Sequence, residues 1–395
     1  MPSTFCRRLG LVRRGVLATS VLLLPACSMA ASQPPQQTRL ASAAAHVSPV
    51  AGVSYLPEFP SFNSQPLDHQ IRLYTNYLWE HGRPDVLIVG SSRSLQGVDP
   101  NTLQQALMAQ GYPELRIYNF SVNGATAQVV DWMLRQLLEP SQLPRLIIWA
   151  DGSRAFNSGK PDLTYQAIVG SAGYQRLAAG DRPIAQPPAA AEPRPTVVAQ
   201  ADAEVCTELQ DWLPFLQRDG QCLPSSEDAA PPAIVPEPIQ AGYAAFSTNL
   251  DQKGFQPVGQ TYNPATYYQQ FPRVAGQFDD NYASFRLSGS QETATRALAN
   301  YARGYQIPLV FVNLPLNRDY LDGFRLTRER QFQQHMQRLA GLYGFLALDL
   351  TQQWGGQHSY FADPSHLNQT GARAVANHLA THPNIDWERL AQRYR

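Results

Sequence analysis

Residues 85–97 read DVLIVGSSRSLQG. A short, continuously apolar run that breaks into Gly90-Ser91-Ser92-Arg93 has the form of a strand buried on both faces that leaves its sheet through a tight turn. In such a turn a serine can be held at the mouth of the sheet, with its own backbone N–H beside any oxygen it attacks. A plain Gly/Ser turn capping a helix, or an anion-binding nest, uses the same local string. The choice rests on whether the remaining chain supplies a base, an orienting carboxylate and oxyanion donors at the ends of neighbouring elements.

Four further apolar segments, 115–120, 145–149, 307–313 and 345–350, share the character of 85–89. The helical segments between them have legible ends. Asp99-Pro100 opens one that stops at Gly111, Ser290 or a neighbour opens one that stops near Gly304, and Thr327 opens one that ends at Gly344. Asn368 opens the last, NQTGARAVANHLATH. Strands alternating with helices predict an α/β domain with a five-stranded parallel sheet, whose ligands sit at the carboxyl ends of the strands near a topological switch point.

The residues able to carry chemistry fall at those ends. After the second strand comes NFSVNGAT, 119–126, where Gly124 can aim its N–H at a shared site or simply permit a turn. Near the C-terminus YFADPSHLN, 360–368, places Asp363 three residues before His366. A general base needs a partner that fixes its tautomer and stabilises the imidazolium, and a loop aspartate at this spacing can fold back to do so. The bland alternative is an Asp-Pro turn beside a histidine at a helix start. No other histidine of the chain combines a strand end, an upstream aspartate and a helix cap. Arg93 and Arg154 follow strand ends and suit either an anionic substrate group or ordinary salt bridges. The aromatic residues of TYNPATYYQQFP, 261–272, suit a sugar subsite or, more simply, packing.

Together these segments resemble the SGNH/GDSL hydrolase superfamily over most of residues 66–175 and 260–382. That family carries its nucleophile in a Gly-Asp-Ser block, a glycine in a second block, an asparagine in a third and Asp-x-x-His before the last helix. The resemblance implies a three-layer, flavodoxin-like fold with Ser92 as nucleophile, His366 as base and Asp363 as its orienter. It makes the Ser92 and Gly124 amides oxyanion donors, and it implies no metal and no cofactor. Two departures stand out: Ser91 replaces the aspartate of the first block, and Gly152 stands about where the asparagine of the third would be. Asn157 or Ser153 are the candidate substitutes for that donor, and the alternative is that the third donor is missing. Gly-Ser-Ser, the following Arg93 and an export signal look most like the divergent bacterial-envelope branch, which includes alginate O-acetylation and teichoic acid D-alanylation proteins and an uncharacterised cyanobacterial and spirochaete family. That implies an ester hydrolase or O-acyltransferase acting on acylated extracytoplasmic glycan or lipid, with a membrane-bound acyltransferase as partner. The competing expectation is a non-catalytic envelope lipoprotein that binds glycan or scaffolds a complex.

The ends and the insertion agree with an envelope location. Residues 1–30 carry four arginines and no acid, then an apolar run over 16–24. That run is about half the roughly 20 residues needed to span a bilayer, as in an export signal. Leu24-Pro25-Ala26-Cys27 resembles a lipobox, which makes residues 1–27 a lipoprotein-type signal with Cys27 lipidated as a membrane anchor in the periplasm or at the cell surface. Plain secretory cleavage and twin-arginine export at Arg13-Arg14 are the alternatives. Residues 28–64 read as a flexible tether, 65–175 and 261–395 as the two parts of the domain, and 176–260 as a Pro/Ala-rich insertion. Cys206 and Cys222 in that insertion are most simply a disulfide in an exported chain, and without a nearby histidine they cannot complete a zinc shell. Lys+Arg and Asp+Glu both number 31, so no net positive field argues for nucleic acid. The chain also has no Walker-type or dinucleotide-binding glycine pattern.

Overall fold

The computed structural model describes residues 59–184, 249–271, 282 and 284–392. The export signal with Cys27, most of the tether, and the stretch with Cys206 and Cys222 lie outside the described residues. Among the described residues, no helix is long and apolar enough to cross a membrane.

Five strands, β1 (Val86–Val89), β2 (Ile117–Asn119), β3 (Leu146–Asp151), β4 (Leu309–Asn313) and β5 (Leu346–Asp349), form one all-parallel sheet in the order β2-β1-β3-β4-β5. Every residue of β1, β2, β3 and β4 is buried, which is why these segments read as unbroken apolar runs rather than as alternation. The pleat sends alternate residues to opposite faces. Leu87, Val89, Ile147, Trp149 and Phe311 pack on one face with α1 (Gln65–His81) and two later helices. Val86, Ile88, Ile148, Ala150 and Val312 pack on the other with α2 (Ser92–Gly97) and α3 (Pro100–Ala109) close by. Helices on both faces make three layers.

Side-chain caps set most helix starts. Asp99 accepts the amides of Asn101 and Thr102 to start α3, and Thr126 accepts the Val129 amide to start α4 (Ala127–Trp132). Short helices α5 (Leu163–Val169) and α6 (Ala172–Ala178) follow, then α7 (Pro264–Gln270) and α8 (Ser290–Gly304), the last matching its predicted ends. Helix α9 runs Gly323–Tyr343, four residues longer at its start than the Thr327 expectation, because Asp322 caps it by accepting the Arg325 amide. Helix α10 (Gln369–Ala380) begins after Asn368 as expected, but it is not the last. A short helix, α11 (Trp387–Ala391), follows and buries Trp387 against the sheet's second face.

Two boundaries move. Phe62, assigned to the tether, is buried with its ring centroid 5.4 Å from that of Trp132. Residues 249–262, mostly assigned to the insertion, run as a strap from the end of β2 past α2 to residues 361–369. The Asn119 amide donates to Lys253 O, the Gln256 amide to Leu95 O, the Gln369 amide to Val258 O and the Tyr262 amide to Phe361 O. Low-complexity composition upstream masked these contacts. The order β2-β1-β3 places the topological switch between β1 and β3, where chain connections leave in opposite directions and open a crevice. Gly90 and Asp151 stand at its lip.

Candidate active site

The nucleophile turn is shaped by crowding. Gly90 has φ +147°, and a Cβ there would lie 2.1 Å from Ala150 O, so only glycine lets β1 leave this close to β3. Ser91 then caps α2, accepting the Arg93 amide on its side chain. Ser92 is the first residue of that helix, ahead of the first intrahelical bond, so its amide is open to a ligand oxygen.

The base arrives on a two-strand ribbon, β6 (Phe361–Asp363) paired antiparallel with β7 (His366–Leu367). Asp363 closes the ribbon's turn from within: its Oδ1 accepts the Ser365 amide at 2.7 Å and the His366 amide at 2.9 Å. Its Oδ2 lies 2.9 Å from His366 Nδ1, and His366 Nε2 lies 3.0 Å from Ser92 Oγ. An ionised carboxylate only accepts, so Nδ1 carries a proton, and when the ring is neutral Nε2 is the acceptor facing the serine hydroxyl. Burial on its own pushes the Asp363 carboxyl up. The His366 charge and hydrogen bond, with the Ser365 and His366 amides, outweigh it and hold the carboxyl below its ordinary value. Ser92, His366 and Asp363, 274 positions apart at their extremes by the first pair, thus form one continuous chain of hydrogen bonds.

Gly124 lies in the turn after β2 at φ +77°, on the loop whose Val122 amide donates to Gly90 O. The two candidates for a third donor are held differently, Ser153 by its hydroxyl proton and Asn157 by its oxygen. Ser153 is fully buried and donates to Glu329 Oε1 at 2.6 Å. Asn157 Oδ1 accepts the amides of Gly159 and Arg286, both at 2.9 Å, at the junction with the residues leading into α8.

The two arginines, expected to bind substrate or to form ordinary ion pairs, are both bonded within the fold. Arg93 is buried, and its Nη2 donates to the carbonyls of Leu314 at 2.6 Å and Pro315 at 3.1 Å. Burial pulls its guanidinium below the ordinary value, the Glu329 charge opposing this. It ties α2 to the end of β4 rather than facing solvent. Arg154 donates from Nη2 to Ser365 Oγ at 2.7 Å and lies 6.0 Å from the Tyr320 ring, which sets it behind the Asp363–His366 turn.

Asp151, the last residue of β3, was not among the sequence candidates. Its Oδ2 accepts the Ser91 amide at 2.8 Å; its Oδ1 accepts the Ser91 hydroxyl at 2.8 Å and the Gly152 amide at 2.9 Å. Burial pushes its carboxyl up to about 6, against the pull of these bonds and of the Arg93 charge. Gly152 is equally constrained, since a Cβ there would fall 1.5 Å from Arg93 Nη1. The only sequence signal for Asp151 was its position at a strand end in the segment that departs from the resemblance.

No protein-family model and no curated protein matches the chain.

Proposed function

We propose that this chain is an envelope-facing serine esterase or O-acyltransferase of SGNH type, acting on acyl or acetyl esters of extracytoplasmic glycan or lipid. The observation that carries the reading is the hydrogen-bonded series Ser92 Oγ, His366 and Asp363, with gaps of 3.0 Å and 2.9 Å. His366 Nε2 takes the hydroxyl proton as Ser92 Oγ attacks the ester carbonyl, and the Ser92 and Gly124 amides receive the oxyanion. Collapse expels the alcohol, which takes the proton back from His366. Water or an acceptor hydroxyl then attacks the acyl-serine, with His366 again accepting and returning the proton. The two outcomes, hydrolysis and transfer, share the same acyl-enzyme. A lipid on Cys27 would hold the domain at the membrane, within reach of a membrane-bound acyl donor.

The purified full chain in detergent is expected to label with a fluorophosphonate and to hydrolyse p-nitrophenyl acetate, and Ser92→Ala is expected to abolish both. Labelling that survives Ser92→Ala would remove the serine from this role. A second reading, a glycan-binding or scaffolding lipoprotein without turnover, draws on the Ser153 hydroxyl donating to Glu329 instead of to a ligand oxygen. Losing one oxyanion donor costs on the order of 10²–10³ in turnover. Polysaccharide binding unaffected by Ser92→Ala, with no hydrolysis of any acyl ester tried, would favour it.

A further inference from the structure

The two departures from the Gly-Asp-Ser and asparagine pattern meet the arginine that follows the nucleophile at one place. Ser91 stands where a carboxylate is expected, Gly152 where a side chain is expected, and a guanidinium follows the nucleophile. In space these are one packed unit. The Arg93 guanidinium lies across Gly152, where any Cβ would collide with it. The carboxylate absent from position 91 is supplied from the neighbouring strand by Asp151, which takes hold of both the amide and the hydroxyl of Ser91. An aspartate at position 91 would set two buried carboxylates against each other, so Ser91 and Asp151 are mutually dependent.

We propose that Asp151 is the positioning residue of the nucleophile, acting through Ser91 to fix the turn from which Ser92 reaches His366. The inference rests on the Ser92 reading above. The mechanics are direct. The Ser91 hydroxyl donates to Asp151 Oδ1 and accepts the Arg93 amide at 3.3 Å, so it bridges β3 and the first turn of α2. The Ser91 carbonyl accepts the Ser94 and Leu95 amides, which makes it the base of the same turn. Ser92 sits between these anchors. Groups charged or titratable around Asp151 are Arg93 on α2 and, through space, Arg154 beyond β3, while Glu329 on α9 and Tyr282 bear on Arg93. Arg93 is the near counter-charge. The carboxylate accepts three donors, so an amide at position 151 necessarily turns its NH₂ toward one of them. Asp151→Asn therefore keeps the volume and breaks the grip. A displacement near 1 Å between nucleophile and base costs on the order of 10² in rate.

Steady-state kinetics on p-nitrophenyl acetate, measured on the full chain between pH 5 and pH 9, tests this. In Asp151→Asn we expect kcat at pH 7.5 to fall by about 10- to 100-fold with KM within about twofold. The acid limb of kcat/KM should also become shallower, because one of the ionisations the wild type requires is gone. Ser91→Ala, which deletes one bond of the grip and leaves the carboxylate, serves if Asp151→Asn fails to fold, and it should lower kcat several-fold in the same KM-independent way. Wild-type kcat and acid limb in a folded Asp151→Asn, or wild-type kcat in Ser91→Ala in its place, would overturn the positioning role while Ser92 labelling stands. Absence of fluorophosphonate labelling in the wild type would overturn the Ser92 reading and this inference with it.

Discussion

Two turns face each other across the 3.0 Å gap between Ser92 Oγ and His366 Nε2, and they are held in different ways. The Asp363–His366 turn is largely its own support. Within four residues, one carboxylate closes the backbone with Oδ1 and orients the imidazole with Oδ2. The Gly90–Arg93 turn has no carboxylate of its own. Its serine is gripped by Asp151, 60 positions later, and its arginine by carbonyls more than 220 positions away. A shift of β3 against β1 would therefore move the nucleophile and leave the base and its orienter intact.

The first way to break the contrast is Asp363→Asn. The amide oxygen can still accept the Ser365 and His366 backbone amides, so the turn should persist, whereas the NH₂ faces His366 Nδ1 and stabilises the wrong tautomer. The expected loss is on the order of 10⁴ in kcat on p-nitrophenyl acetate, with an unchanged circular dichroism spectrum. A loss below tenfold would mean that Asp363 supports the turn only and does not orient the base.

The contrast also explains what could be read in advance. The sheet was legible because its strands are buried and so appear as apolar runs, and β3 runs two residues past its predicted end, through Ala150 and polar Asp151, the latter outside any hydrophobicity pattern. Asp363 and His366 were legible because their relation is local, three residues along the chain. Asp151 and Arg154 were not assignable as supports, because their partners lie on other elements and nothing in the spacing identifies them. Gln70 is similar: a helix glutamine by sequence, it donates from Nε2 to Asn119 O, Ser121 O and Gly254 O, and so fastens the NFSVNG loop to the strap. Asn119 and Asn368 look like loop and cap residues, yet each also donates to two backbone carbonyls. Asn119 holds those of Ser94 and Val98 on the nucleophile's side, and Asn368 those of Ser359 and Phe361 on the base's side.

The two carboxylates should pull stability in opposite directions with pH. Asp363 is held below its ordinary value, so its contribution is present above the unfolded value and is lost as pH falls through the folded one. Asp151 rises from 3.8 to about 6. Its contribution is full below about pH 4 and is lost as pH climbs through about 6, because ionisation inside the fold is disfavoured. At about 1.4 kcal/mol per unit, the swing attributable to Asp151 is at most roughly 3 kcal/mol. Urea unfolding of wild type and Asp151→Asn at pH 4.5 and pH 7.5 should show the variant gaining on the wild type at the higher pH. A difference that stays constant between the two pH values would mean that Asp151 does not titrate in this window.

A smaller effect decides how self-contained the base's turn is. Arg154 lies three residues beyond Asp151, so the short stretch after β3 touches both turns, Asp151 through Ser91 and Arg154 through the Ser365 hydroxyl. Ser365 is fully buried, and Arg154→Met would remove the donor its hydroxyl receives while keeping much of the side chain's length. If Arg154 positions the turn, kcat should fall about tenfold for neutral and anionic esters alike with KM nearly unchanged, since the loss is in placement of the base. The drop should be less than that of Asp151→Asn, because the Asp363 bonds remain. A rise in KM confined to an anionic ester would instead return Arg154 to the substrate-binding role that its position after a strand end first suggested. The base's turn would then rest on the Asp363 bonds and on the Asn317 amide that donates to Pro364 O, and the asymmetry between the two halves of the site would be sharper.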